Sequence, residues 1–389
     1  MRQDVIQVFF ALLRCEMIER EISADIKNIV TEDRLVDLFT FSKKHDLAHL
    51  IGYILDKKGL FSNALGAKKL FLQEWRMSVY RCEQLQYEFG RICAVLEEEK
   101  ILFVPLKGSV IRSLYSEPWM RTSCDIDILV SIKNLDKART VLENRLGYTF
   151  RGTGDHDITL IAESGVHLEL HYALLESGAK ATEKTVLTNI WKVVERAEGK
   201  YAHCKMPDEY FYCYHMSHIA KHLRFGGCGI RSILDTWFLN HKMDFDKSKR
   251  DSLLQQAGLL TFAKSIENLT QVWVGGKQAS ELDEELEQYI LTGGVYGTMQ
   301  NRVAVKINTK QGKFRYLCSR IFLPYRELKF KYPRLQKWPI LFPFYQVKRW
   351  FRLLKKDSRE RSVRELKETT HGDVEKQERV AKLLKDLDL

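Results

Sequence analysis

The sequence predicts an α+β fold, and three observations predict it. Apolar residues recur at helical spacing through residues 1–98, and the pattern is helical again from about residue 173. Between those flanks, residues 99–172 read as short strands interspersed with short helices. Pro105, Gly147 and the Glu163-Ser164-Gly165 turn cut that middle stretch into separate elements. At 389 residues, 45% of them hydrophobic, the chain can bury a sizeable core in roughly two or three packed units. We divide it into an N-terminal helical segment (1–98), an α/β core (99–172), a helical domain (173–300) and a basic C-terminal arm (301–389).

In the first segment Val5, Val8, Phe9, Leu12 and Leu13, then Leu35, Leu38 and Phe39, fall on helical faces. His45 and His49 stand four apart, a spacing that on one helix would suit a metal. With no third ligand nearby, packing or capping is the better reading. Residues 85–99 form a long helix that leads into a buried strand, 101–104, ended by Pro105. Lys107-Gly108-Ser109 then turns into a short helix, 110–115. Residues 124–130 carry Asp125 and Asp127 inside an apolar run. A helix follows over 135–146, broken by Gly147, and a strand begins at 148–150. Residues 155–162 and 166–172 form a hairpin around the Glu163-Ser164-Gly165 turn.

Beyond it, Pro207-Asp208-Glu209 starts a helix that runs through His215, His218, Lys221 and His222 to the stop at Gly226-Gly227-Cys228-Gly229. The next helix covers 230–240, where Arg231 and Asp235 are one turn apart and are expected to pair. Helices continue to about residue 291, and Gly293-Gly294 marks a loop. Four of the seven prolines (Pro324, Pro333, Pro339, Pro343) lie among Trp and Phe, which predicts an irregular arm laid against the body. A basic helix is expected over 347–356, and the charged tail, 367–389, is expected to fray.

Charge is unevenly placed. Residues 302–367 hold twenty Lys/Arg against four Asp/Glu, a local +16, which leaves −5 for the rest of a chain whose net charge is +11. Such a segment suits nucleic acid, an anionic membrane surface or a phosphorylated substrate, or is simply a solvated helical face with buried aromatics. The eight cysteines form no Cys-x-x-Cys pair, which argues against a structural zinc site and a disulfide scaffold and favours reduced thiols. The apolar run at 5–13 lacks the flanks of a signal peptide, and no run reaches membrane-spanning length. A soluble, cytoplasmic protein is expected.

The chemistry concentrates at Asp125-Ile126-Asp127. A strand points alternate side chains to one face, so both carboxylates project together while Ile126 and Ile128 enter the other side. Adjacent carboxylates in an apolar strand call for a cation, and hard divalent ions prefer carboxylate oxygens. In the second hairpin arm Val166, Leu168 and Leu170 share one face and His167, Glu169 and His171 the other, which makes Glu169 a third acid. Lys107-Gly108-Ser109 offers close backbone approach and helix-start N–H groups to a phosphate. An ordinary strand-to-helix turn is the alternative there. Arg121 is equally suited to phosphate or to an acid partner.

Gly-Ser after a strand, then Asp-hydrophobic-Asp-hydrophobic on the next, resembles the DNA polymerase beta-like nucleotidyltransferase superfamily. Leu106-Lys107-Gly108, Tyr115, Arg121, residues 125–130 and His167-Leu168-Glu169-Leu170-His171 are similar to its uncharacterised bacterial nucleotidyltransferase branch. The resemblance implies a mixed sheet flanked by helices, a nucleoside triphosphate (NTP) as substrate and Mg²⁺ or Mn²⁺ as cofactor. It implies that Asp125, Asp127 and Glu169 are metal ligands and catalytic, and that Lys107, Gly108, Ser109 and Arg121 bind nucleotide. His171 and the His218, Lys221, His222 pattern would contact substrate. The aromatic, proline-bearing, Arg-rich C-terminal segment also matches the branch. The expected reaction moves a nucleoside monophosphate to an unidentified acceptor (small molecule, protein or RNA) and releases pyrophosphate. The alternative is a non-catalytic nucleic-acid-binding or interaction protein on the same fold.

Overall fold

A computed structural model describes residues 3–61, 65–295, 297–309, 318, 321–325, 328–329, 332, 334–353 and 374–389. Its centre is a five-stranded mixed sheet in the order β1-β2-β5-β4-β3. The strands are β1 (Phe103–Pro105), β2 (Asp125–Val130), β3 (Thr149–Thr153), β4 (Asp157–Ile161) and β5 (His167–His171). β2 runs parallel to β5 and every other pairing is antiparallel, so the mixed sheet that the resemblance implies is present.

Alternation sorts the strands. Ile126, Ile128, Val130, Leu168 and Leu170 are buried with Leu85, Ile92 and Leu96 of the helix Leu65–Glu98 and with Ala138 and Leu142 of the helix Leu135–Leu146. That second helix ends where Gly147 takes φ 73°, a left-handed cap that glycine adopts without steric cost. The expected hairpin forms, with β4 and β5 joined across Gly165 at φ 83°. The opposite sheet face looks toward the helix Asp208–Arg224, which belongs to a larger helical core shared with the N-terminal helices.

Some expectations hold and others change. His45 caps the helix Glu32–Lys44 whereas His49 lies in the next helix, Ala48–Lys57; their ring nitrogens meet the carbonyls of Leu291 (3.2 Å) and Met120 (2.9 Å), so packing wins over metal. The tail does not fray as a whole. A helix, Val374–Asp386, buries Val380, Leu383 and Leu384, because its apolar residues fall on one face; residues 367–373 lie outside the described residues. In the arm, the basic helix begins earlier, at Phe342, and is described to Leu353; 354–356 lie outside the described residues. Leu323, Leu328, Leu335 and Tyr345 form a small core of their own.

Candidate active site

The parallel register of β2 and β5 sets Asp127 beside Glu169, with Asp125 two residues back on the same face. Counting out from the hairpin turn puts Asp157 of β4 opposite His171, so it joins that face. His171 is fully buried, and its Nε2–H donates to Asp127 Oδ1 (2.8 Å) and lies 3.4 Å from Glu169 Oε2. Lys107 Nζ donates to the same Asp127 oxygen at 2.7 Å. Asp127 is therefore held between two cations or donors.

The electrostatics follow. Burial works to raise the Asp127 carboxyl, but Lys107 and His171 overcome it and hold the group below the usual carboxylate range. Burial works to lower Lys107, and the Asp127 charge raises it above the ordinary lysine value. At Asp125 the lowering by Lys107 and Arg231 is outweighed. Burial, then the charges of Asp127 and Glu169, push its carboxyl up to about 6. The face carries more negative charge than Lys107 and His171 neutralise.

Lys107 enters its short helix (Gly108–Ile111) at φ 40°, ψ −113°. A Cβ on Gly108 would come within 2.8 Å of Arg121 Nη1 and 3.2 Å of Ser123 Oγ, so a larger residue there would have to push the Arg121 guanidinium aside. The N–H groups of Ser109 and Val110 already donate to the carbonyls of Leu106 and Lys107, which leaves this turn less open to a phosphate than its Gly-Ser sequence suggests.

A cavity of about 310 Å³ lies over the acids, bordered by Lys107 and Gly108 on one side and by His218, Lys221 and His222 on the other. Ser109 is not among its lining residues. The two histidines touch through their Nε2 atoms at 3.0 Å. Burial and the neighbouring lysines hold both below the ordinary value, His222 at about 4, so both rings are neutral at pH 7. Lys221 pairs with Glu176 at 2.5 Å. A second cavity of about 700 Å³ shares Lys107, Tyr214, His218 and Lys221 with the first and has Leu174, Leu175, Phe225 and Leu384 among its walls.

Arg121 borders the first cavity, yet two of its nitrogens are taken by Asp235 (Nε to Oδ1 3.0 Å, Nη2 to Oδ2 2.8 Å). Tyr115 donates to the same carboxylate at 2.8 Å. The expected Arg231–Asp235 pair does not form. Arg231 instead reaches Asp46 (3.0 Å) and the Thr122 carbonyl (2.8 Å), because the buried Arg121 competes for Asp235 with better geometry. Asp235, on the helix Ile230–Lys242, thus ties that helix to the segment just before the strand that carries the acids, a link across more than a hundred residues that no local spacing announces.

Two ligand-like groups converge among the described residues. One is Asp127, Glu169 and His171; the other is His156, Asp157 and His171, with the atoms of each set within 4.8 Å of one another. Asp125 stands outside both triplets. The hard oxygen donors and the excess negative charge fit a divalent cation.

The mixed sheet, with Asp-x-Asp beside a glutamate on the adjoining parallel strand, is consistent with a nucleotidyltransferase fold. A family model described as "Uncharacterised nucleotidyltransferase" matches residues 32–275, well over half of the chain, and the chain belongs to that family. Comparisons with curated proteins and with solved structures find no match. Among the described residues, no helix is long and apolar enough to cross a membrane.

Proposed function

We propose that the protein transfers a nucleoside monophosphate from an NTP to an acceptor hydroxyl. The observation that carries this is the side-by-side placement of Asp127 and Glu169, with Asp125 on the same face, under a cavity bordered by Lys107, His218 and Lys221. Asp125, Asp127 and Glu169 would hold Mg²⁺ or Mn²⁺, which supplies charge stabilisation to attacking and leaving oxygens in an in-line displacement. The acceptor oxygen bonds to the α-phosphorus, the bond from that phosphorus to the bridging oxygen breaks, and pyrophosphate leaves. Glu169 accepts the acceptor's proton. Lys107 lies against the acids and places a positive charge at the triphosphate side. Lys221 and the neutral His218–His222 pair, facing the acids from the opposite wall, contact substrate. Arg121 acts on nucleotide chiefly by fixing the Gly108 turn, given its engagement with Asp235. The larger cavity, which shares Tyr214 and His218 with the first, is the acceptor side.

The test is incubation with Mg²⁺ and each α-labelled triphosphate over candidate acceptors, comparing the wild type with Asp125→Ala and Glu169→Gln. Label should move in the wild type and not in the variants. Transfer that survives both substitutions unchanged would overturn the assignment. Absence of triphosphate affinity, together with steeply salt-dependent nucleic-acid binding, would return the chain to the non-catalytic alternative.

A further inference from the structure

The helix Phe342–Leu353 is assembled inside out. Its buried side carries Tyr345, Gln346 and Arg349, and the two polar chains are spent on backbone: Gln346 Nε2 donates to the Leu323 carbonyl (2.5 Å) and Arg349 Nη1 to that of Ile321 (3.0 Å). Its open side carries Phe344, Val347 and Phe351, three and four residues apart and hence on one face. Just upstream, Trp338 and Ile340 continue the same exposed apolar run. The exposures are high: Trp338 63%, Ile340 84%, Phe344 61% and Phe351 69%. This many large apolar side chains exposed within one short stretch mark an interaction site.

Charge and side-chain type select the partner. Arg334, Lys337 and Lys348 are exposed around the patch, within the segment that carries a local +16. That favours an anionic surface. Aromatic rings alone would also suit stacked bases, but Ile340 and Val347 have no ring to stack, and exposed aliphatic groups alongside exposed Lys and Arg match a bilayer interface. Twelve residues of helix span only about 18 Å, short of the roughly 30 Å of a hydrocarbon core, so the helix lies in the plane of the surface. We propose that the exposed face of Phe342–Leu353, with Trp338 and Ile340, docks the protein on an anionic phospholipid membrane.

Vesicle flotation tests this with the full chain, using phosphatidylcholine vesicles with and without phosphatidylserine. The wild type should float with the anionic vesicles, and the combined Ile340→Glu, Phe344→Glu, Phe351→Glu variant should bind at least about tenfold more weakly. These side chains are exposed, so circular dichroism should be unchanged. Equal flotation of the variant, or no flotation of the wild type, overturns the proposal, and so would an RNA oligonucleotide binding where vesicles do not, or a dimer in solution that the triple variant dissolves. Flotation by Glu169→Gln equal to the wild type separates this surface from the transfer reading.

Discussion

One face of the sheet presents Ile126, Ile128, Leu168 and Leu170 to helices that bury them, while the alternate residues of the same strands present Asp125, Asp127 and Glu169 to a cavity, with His171 buried against Asp127. The apolar face is a matter of volume, and any well-packed set of similar size would serve it. Each charge on the polar face must instead be answered individually, by Lys107, by His171 or by a cation. The difference teaches that a side chain on the first face should matter to folding and one on the second to chemistry.

The largest expected effect sharpens that division. Asp127→Asn should lower transfer about a thousandfold, the scale of losing several kcal/mol of charge stabilisation, while the circular dichroism spectrum stays native. Next, Asp235→Asn should cost about 3–5 kcal/mol in urea unfolding, because it leaves Arg121 buried without its acid. A small loss there would mean the two units are held together elsewhere. Ile128→Ala, at a fully buried position, should cost about 2–5 kcal/mol of stability with little change in transfer per folded molecule. Transfer abolished in a stably folded Ile128→Ala protein would break the comparison.

The smallest effect is a pH dependence. Asp125 sits at about 6 against an ordinary 3.8, so it is protonated below that point. Mg²⁺ affinity, read by calorimetry, should fall about tenfold per pH unit below about 6 and level off above it. In the metal-free protein the sign is opposite. A raised folded value contributes stability at low pH, which is lost as pH rises through about 6.

How much of this was legible depends on sequence distance. Strand alternation placed Asp125 and Asp127 on one face, and the Gly165 turn placed Glu169 and His171 on the matching face of β5. The same hairpin count would have found Asp157 opposite His171, a signal present but unused. Gly147 marked its helix end to the residue. The Arg121–Asp235 pair was not legible, since a four-residue spacing favoured Arg231 and only the tertiary fold brings Arg121 closer. Nor was the spending of the Ser109 and Val110 amides, which depends on backbone angles at Lys107. The C-terminal helix misled because Lys and Arg stand among Val380, Leu383 and Leu384, the apolar positions that the helix buries.

The buried Arg121–Asp235 contact acts as a rivet between a floor and a roof. The floor, with its acids, comes from residues before 172, and the roof, with His218 and Lys221, from residues after it. A fragment excised at that boundary would expose Arg121 without a counter-ion and leave the acids open to bulk water, unable to select any substrate. The seam in chain texture therefore runs through the middle of the cavity, and on the proposed function the smallest active piece must straddle it.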